Sequence, residues 1–130
     1  MARPSSKHPT QRELEILKVL WREGPLPVRG VRDALGPAGR PAYTSVMTIM
    51  NIMVAKGYLR RRKEGPSYVY RPTASEKATK GRMLGDLVDR AFDGSAAAVM
   101  VNLLGSANLD RSEIDELRKL LQQQSEGRQQ

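Results

Sequence analysis

Three features of the sequence predict a mainly α fold, in which three helices and a β-hairpin are followed by a second helical region. The stretch from Pro41 to Leu59, PAYTSVMTIMNIMVAKGYL, sets Val46, Ile49, Met50 and Met53 on one face at helical spacing. Directly after it, Gly57 stands where a helix-ending glycine belongs, and two β-type runs flank the turn Glu64-Gly65-Pro66-Ser67. From Thr73 onward, apolar stripes recur with no second globular core large enough for them. A helix, a glycine and then a basic hairpin is the order of a winged helix-turn-helix, with the hairpin as the wing.

The elements follow in order. Thr10 to Glu23 reads as the first helix: Thr10 and Glu13 fit a capping box, and Leu14, Leu17, Leu20 and Trp21 share a broad face. Gly24-Pro25 ends it. A shorter helix runs from about Pro27, suited to a first helical turn, to Leu35, and buries Val28, Val31 and Leu35. Gly36-Pro37-Ala38-Gly39 cannot continue a helix and makes the turn into the third, helix 43–57, whose wing occupies 59–71. Thr73 or Ser75 caps a helix reaching about Phe92, striped with Leu84, Leu87, Val88 and Ala91. Gly81 and Gly85 weaken that helix or admit a close partner. Asp93-Gly94-Ser95 breaks the chain, and Ser95 caps a short apolar helix from Ala96 to Leu104 that carries Val99 and Leu103. After a loop from Gly105 to Asn108, Asp110 caps the last helix, with Glu113 at the capping-box position and Ile114, Leu117, Leu120 and Leu121 inward. The polar stretch from Gln122 is expected to fray. These readings divide the chain into a winged-helix domain at 10–72, a helical dimerisation domain at 73–123, and flexible tails at 1–9 and 124–130.

Composition narrows the function. The 130 residues are 39% hydrophobic, with one Trp and one Phe, and there is no cysteine, which removes disulfides, Cys-based zinc sites and thiol nucleophiles. The one histidine, His8, lies in a Pro/Ser-rich stretch and is expected to be solvated. With no clustered carboxylates among apolar residues, no catalytic set, metal site or cofactor site is expected. Asp86, Asp89 and Asp93 share a helix face, but Arg82 and Arg90 nearby make it an exposed, ion-paired surface. The N-terminus has no signal-like apolar stretch, and no run reaches membrane-spanning length, so a cytoplasmic protein without membrane insertion is expected.

The net charge of +8 matters because of where it sits: residues 40–82 alone carry +8, while 1–39 carry +3 and 83–130 carry −3. Arg40 and the run Arg60, Arg61, Arg62 and Lys63 are placed on the third helix and wing, as a phosphate-binding footprint should be. Opposite the apolar stripe of the third helix lie Thr44, Thr48, Asn51 and Ala55, with Ser45 beside them. That face is short, polar and uncharged, suited to close approach to a polar surface. The leading reading is a protein that binds double-stranded DNA. A wing that docks on an acidic protein is the competing one, and an enzyme is the least favoured.

The apolar faces of Leu84, Leu87, Val88, Ala91, Val99, Leu103, Ile114, Leu117 and Leu121 are expected to pack on a second copy of the chain, the alternative being that they fold back on the winged domain of a monomer. A symmetric homodimer sets two recognition helices about 34 Å apart, one DNA turn, and so requires an inverted-repeat operator.

The chain resembles the penicillinase-repressor family, the repressors of β-lactamase and methicillin-resistance genes and their copper-responsive relatives. The similar stretches are LEILKVLW (Leu14 to Trp21), VRGVRDAL (Val28 to Leu35), AYTSVMT (Ala42 to Thr48), KGYL (Lys56 to Leu59), YVYRP (Tyr68 to Pro72) and IDELRKL (Ile114 to Leu120). They span about residues 10–122. The resemblance implies a homodimeric winged-helix repressor on an inverted repeat, with recognition contacts at Tyr43, Thr44, Ser45 and Thr48. It also implies backbone contacts from Arg60–Lys63 and Tyr68. Met47 is expected either to add an apolar contact or to pack in the core. Two positions depart from the pattern: Ile52 where members commonly carry arginine, and Gly30 where an acidic residue is frequent. The antibiotic-responsive members are relieved through a membrane-sensor pathway that leads to cleavage after an asparagine. Asn102 resembles it, making Asn102-Leu103 the candidate bond, although the following residue there is aromatic in those members; the alternative reading of Asn102 is a hydrogen-bonded core residue of a short apolar helix. The cysteine-based metal response of the copper-responsive relatives has no counterpart in a chain without cysteine.

Overall fold

The structure, a computed structural model, describes residues 8–36, 41–106 and 108–128. Its elements are α1 (Gln11–Glu23), α2 (Val28–Ala34), α3 (Tyr43–Lys56), β1 (Leu59–Glu64), β2 (Ser67–Pro72), α4 (Glu76–Ala91), α5 (Ala96–Ser106) and α6 (Arg111–Arg128). Three helices, a hairpin and a helical region make the mainly α, winged-helix fold that the residue pattern predicts. Two compact units divide between Leu84 and Gly85, within α4.

In the first unit, both arms of the capping box are closed: Glu13 N–H donates to Thr10 Oγ1 at 3.2 Å, and Thr10 N–H to Glu13 Oε1 at 2.8 Å. The buried stripe of α1 is Ile16, Leu17, Val19 and Leu20, so it turns slightly past the predicted face, leaving Leu14 and Trp21 half-buried. Trp21 sits at the rim because its indole N–H needs a partner, which it finds in Ala74 O at 3.0 Å. Pro27 is the N-cap residue of α2 instead of opening its first turn, and Val28 and Val31 are buried while Leu35 is half-buried. Of the turn before α3, residues 37–40 lie outside the described residues. Arg32 Nε donates to Pro41 O at 3.1 Å across that connection.

Helix α3 buries Val46, Met50 and Met53 completely, with Ile49 packed at the edge of the core. It ends on Gly57 at φ 87°, where the N–H groups of Gly57 and Tyr58 return to Val54 O and Met53 O at 3.1 and 2.9 Å. This pair of bonds needs the left-handed residue that glycine adopts without Cβ strain. The wing pairs Leu59 with Pro72 through Glu64 with Ser67, and Gly65 at φ 61° takes the first corner of its two-residue turn.

Leu26, between α1 and α2, bridges Tyr70 through two backbone hydrogen bonds of 3.2 and 2.9 Å, giving the wing a third chain segment. A Cβ at Gly30 would lie 3.1 Å from Leu26 Cδ2, so a side chain there requires the Leu26 side chain to give way slightly. Of the two residues expected to cap α4, Ser75 does so, accepting from Ala78 N–H at 3.1 Å, whereas the Thr73 hydroxyl donates to Gly57 O at 2.6 Å.

The second unit keeps its predicted caps: Ser95 Oγ accepts from Ala98 N–H, and Asp110 Oδ1 from Glu113 N–H. Its helices run longer than expected. Helix α5 continues to Ser106, whose hydroxyl donates to Asn102 O at 2.7 Å, and α6 runs on through the polar stretch to Arg128. Glutamine and glutamate are good helix formers, and Gln122 donates to Glu126 one turn on at 3.2 Å, so polarity alone did not end the helix. Ile114, Leu117, Leu120 and Leu121, expected to face inward, are exposed, as are Leu84, Leu87 and Leu103, expected to meet a second copy. Past Thr79, no described side chain is buried.

Candidate nucleic-acid interface

Helix α3 is pinned from behind by its three buried residues, so the opposite side chains are carried on a fixed rod. Tyr43, Thr44, Ser45, Met47, Thr48 and Ile52 are exposed there, and Asn51 is half-buried. The exposed face is less uniformly small and polar than the sequence suggests. Met47 belongs to the surface, and Tyr43, Met47 and Ile52 add apolar area beside the hydroxyls. Thr48 Oγ1 donates to Thr44 O at 2.9 Å, which uses its one proton and leaves an acceptor lone pair and a methyl group facing outward.

The four cations of the wing are not equivalent. Strand alternation puts Arg61 and Lys63 on the face that carries Tyr68 and Tyr70, and Arg60 and Arg62 on the other. Arg61 is held twice: Nη1 donates to Asn51 Oδ1 at 2.9 Å, and the guanidinium carbon lies 4.5 Å from the Tyr68 ring centroid. The hydroxyl of buried Tyr70 donates to the same Asn51 oxygen at 2.9 Å. Arg62 instead pairs with Glu64 and lines a cleft with Pro25, Pro27, Val69 and Arg71. Tyr43, Met47, Tyr68 and Tyr70 line one groove with Pro27, Val28 and Arg29. The structure thus brings together Tyr43, Asn51, Arg61 and Tyr68 from the predicted set, leaves Thr44, Ser45 and Thr48 exposed on α3, and turns Arg62 to the other wing face. Arg40 lies outside the described residues.

Another cation of the basic segment is already neutralised. Lys56 Nζ meets Glu13 Oε2 at 3.0 Å and Oε1 at 3.3 Å, and the Glu13 side chain is only 4% exposed. The capping carboxylate of α1 is therefore also an ion-pair anchor for the end of α3. Burial, followed by the Glu13 charge, raises the Tyr58 phenol above its ordinary pKa and keeps it neutral. His8, expected to be solvated, is half-buried beside Leu17, Lys56, Tyr58, Thr79 and Arg82, which with it line a cavity of about 310 Å³. Fold-back of the Pro9 segment onto the first unit was not legible in a stretch so rich in polar residues and proline.

Among the described residues, no group of His, Cys, Asp or Glu is placed to hold a metal ion, and no helix is long and apolar enough to cross a membrane. Arg90 and Asp86 pair at 3.4 Å along α4, but the helix ends at Ala91 and Asp93, at φ 50°, lies past it, so the three aspartates do not share one helix face.

Asn51 and Tyr70 are the connection that sequence reasoning missed. Asn51 stands out as an uncharged polar residue, but its bonds depend on strand register and on the distance from α3 to the wing.

Comparison with known proteins agrees with this architecture. The chain is 26% identical over 111 residues to the penicillinase repressor of Bacillus licheniformis, covering 85% of this chain and 87% of that protein. It is 29% identical over 111 residues to the transcriptional regulator BlaI of Mycobacterium tuberculosis (84% and 79% covered). It is also 18% identical over 109 residues to the methicillin resistance regulatory protein MecI of Staphylococcus aureus strain N315 (84% and 89% covered). A family profile described as penicillinase repressor matches residues 9–123. With that match running from just before α1 into α6, the chain belongs to the penicillinase-repressor family, a family of transcriptional repressors and not of enzymes.

Proposed function

We propose that the protein is a homodimeric transcriptional repressor that binds an inverted-repeat operator through α3 and the wing. The observation that carries this reading is the exposed, uncharged face of α3 beside a wing that presents Arg61 and Lys63 on the same side as two tyrosines. Phosphate contacts from the wing set register, and hydroxyl, methyl and apolar groups of Tyr43, Thr44, Ser45, Met47 and Thr48 meet base edges in the major groove. Residues 10–72 form the DNA-binding domain and 73–123 the dimerisation domain in this reading, supported by the exposed leucines of α4, α5 and α6.

Selection of bound duplexes from a random pool at near-physiological salt tests the proposal. One enriched inverted repeat with half-sites about one helical turn apart is expected. An unenriched pool from folded, dimeric protein would reject operator recognition and favour a wing that docks on an acidic protein.

Relief by proteolysis at Asn102-Leu103, downstream of a membrane sensor, belongs to the same proposal. The bond lies in α5, and peptide hydrolysis requires local unwinding there. Loss of operator binding on sensor activation, prevented by Asn102→Ala, is the expected outcome. Intact chain after induction would remove this route.

A further inference from the structure

The amide of Asn51 has a fixed orientation. Arginine carries no acceptor, so the atom facing Arg61 Nη1 at 2.9 Å is the carbonyl oxygen. The Tyr70 hydroxyl, 2.9 Å from that same oxygen, must also donate to it. Both lone pairs of Oδ1 are then occupied. An asparagine reads adenine by accepting from N6 and donating to N7 at once, and that pairing needs the oxygen that Asn51 has already committed. Tyr70 is 3% exposed and lies in β2, and Arg61 lies in β1, so one oxygen on α3 joins both wing strands to the helix. Arg61 is clamped from its other side by the Tyr68 ring, 4.5 Å away.

We propose that Asn51 is a positioning residue and not a base reader: it fixes the Arg61 guanidinium, and with it the near face of the wing, relative to α3 before DNA arrives. An untethered arginine must lose its rotamer freedom on binding a phosphate, whereas one held on two sides has lost it in folding. The inference rests on the DNA-binding reading above for its consequence, but its structural half stands without DNA.

Two measurements on the full chain test it. The first is the side-chain ¹⁵N relaxation of Arg61 in DNA-free protein, assigned by comparison with Arg61→Ala. An ordered Nε–H in the parent that becomes mobile in Asn51→Ala, and stays ordered in Asn51→Asp, is expected; an Arg61 equally mobile in all three overturns the proposal. The second is equilibrium binding to operator and random duplexes across salt for Asn51→Ala, Arg61→Ala and the double variant. Asn51→Ala should weaken both duplexes by a similar factor, roughly 3- to 10-fold, and add nothing in the Arg61→Ala background. A loss confined to the operator, or one undiminished without Arg61, would mean that Asn51 reads a base. Tyr70→Phe separates positioning from support of the buried phenol: it should leave affinity within about twofold, because Arg61 keeps its bond. A Tyr70→Phe variant as defective as Asn51→Ala overturns the inference. Failure of the parent protein to bind either duplex, with Arg61 ordered, would reject the DNA-binding reading and with it the role for Asn51 on DNA.

Discussion

The two units of this chain use apolar residues in opposite ways. The first unit closes Ile16, Leu20, Val31, Val46, Met50, Met53 and Leu59 into a core in which each is almost fully buried. The second has comparable apolar content in its helices, yet Leu87, Val101, Leu103, Leu104, Leu117 and Leu121 stay between about 40 and 70% exposed. Met100, Leu103, Leu104, Leu109, Leu117 and Leu121 line an entirely apolar cleft of about 160 Å³ there. A monomer spends free energy on such a surface in water, at about 25 cal/mol for each Å². The first unit has what it needs within one chain; the second has the composition of half a core.

Charge on the second unit should therefore break the proposed dimer without touching the first unit. Leu117→Asp, present twice in a symmetric dimer, is expected to weaken self-association by about 3–6 kcal/mol, from two leucines at about 1.5–3 kcal/mol each. Sedimentation equilibrium reads this directly, and an unchanged dimer would mean that another face mediates contact.

The reciprocal variant is Met50→Ala. Its side chain is fully buried in the first unit, so a loss of about 2–5 kcal/mol is expected in denaturant unfolding, followed by tryptophan fluorescence from Trp21. A loss under 1 kcal/mol would show that this core tolerates a cavity, and would erode the contrast between the units.

Within the first unit, Lys56→Met leaves the Glu13 carboxylate buried with, among the described residues, the Thr10 N–H bond alone. About 1.5–3 kcal/mol should be lost, the range for a hydrogen bond to a charged group, and Glu13→Gln should restore part of it in the double variant. Thermal denaturation of the two single variants and the double checks this cycle.

Thr48→Ala is expected to cost about 1–3 kcal/mol on the operator and nearly nothing on random DNA. Competition titration measures the ratio, and equal losses on both duplexes would sink base reading at this position. The smallest effect separates the two wing faces. Arg61→Ala should reduce the slope of log affinity against log salt by about 0.9, as for one lost phosphate contact, and Arg62→Ala by less, because Arg62 is already paired with Glu64. Equal slopes would show that both faces of the wing reach the backbone.

Much of this molecule was legible without coordinates. Local chemistry determined the capping box of Thr10 and Glu13, the caps at Ser95 and Asp110, the end of α3 at Gly57 and the turn at Gly65-Pro66, because each depends on residues within about one turn of one another. Periodicity placed Val46, Met50 and Met53 inward, since a helix maps spacing onto direction. Tertiary structure decided what spacing cannot encode. Glu13 and Lys56 meet across 43 positions, Leu26 joins the wing at Tyr70, and Asn51 shares one oxygen between two strands. Each of these is a polar group whose partner is chosen by burial and distance between elements. The leucines of α4 to α6 are the complementary case: their sequence announces a buried face, and the fold of one chain leaves that face in water.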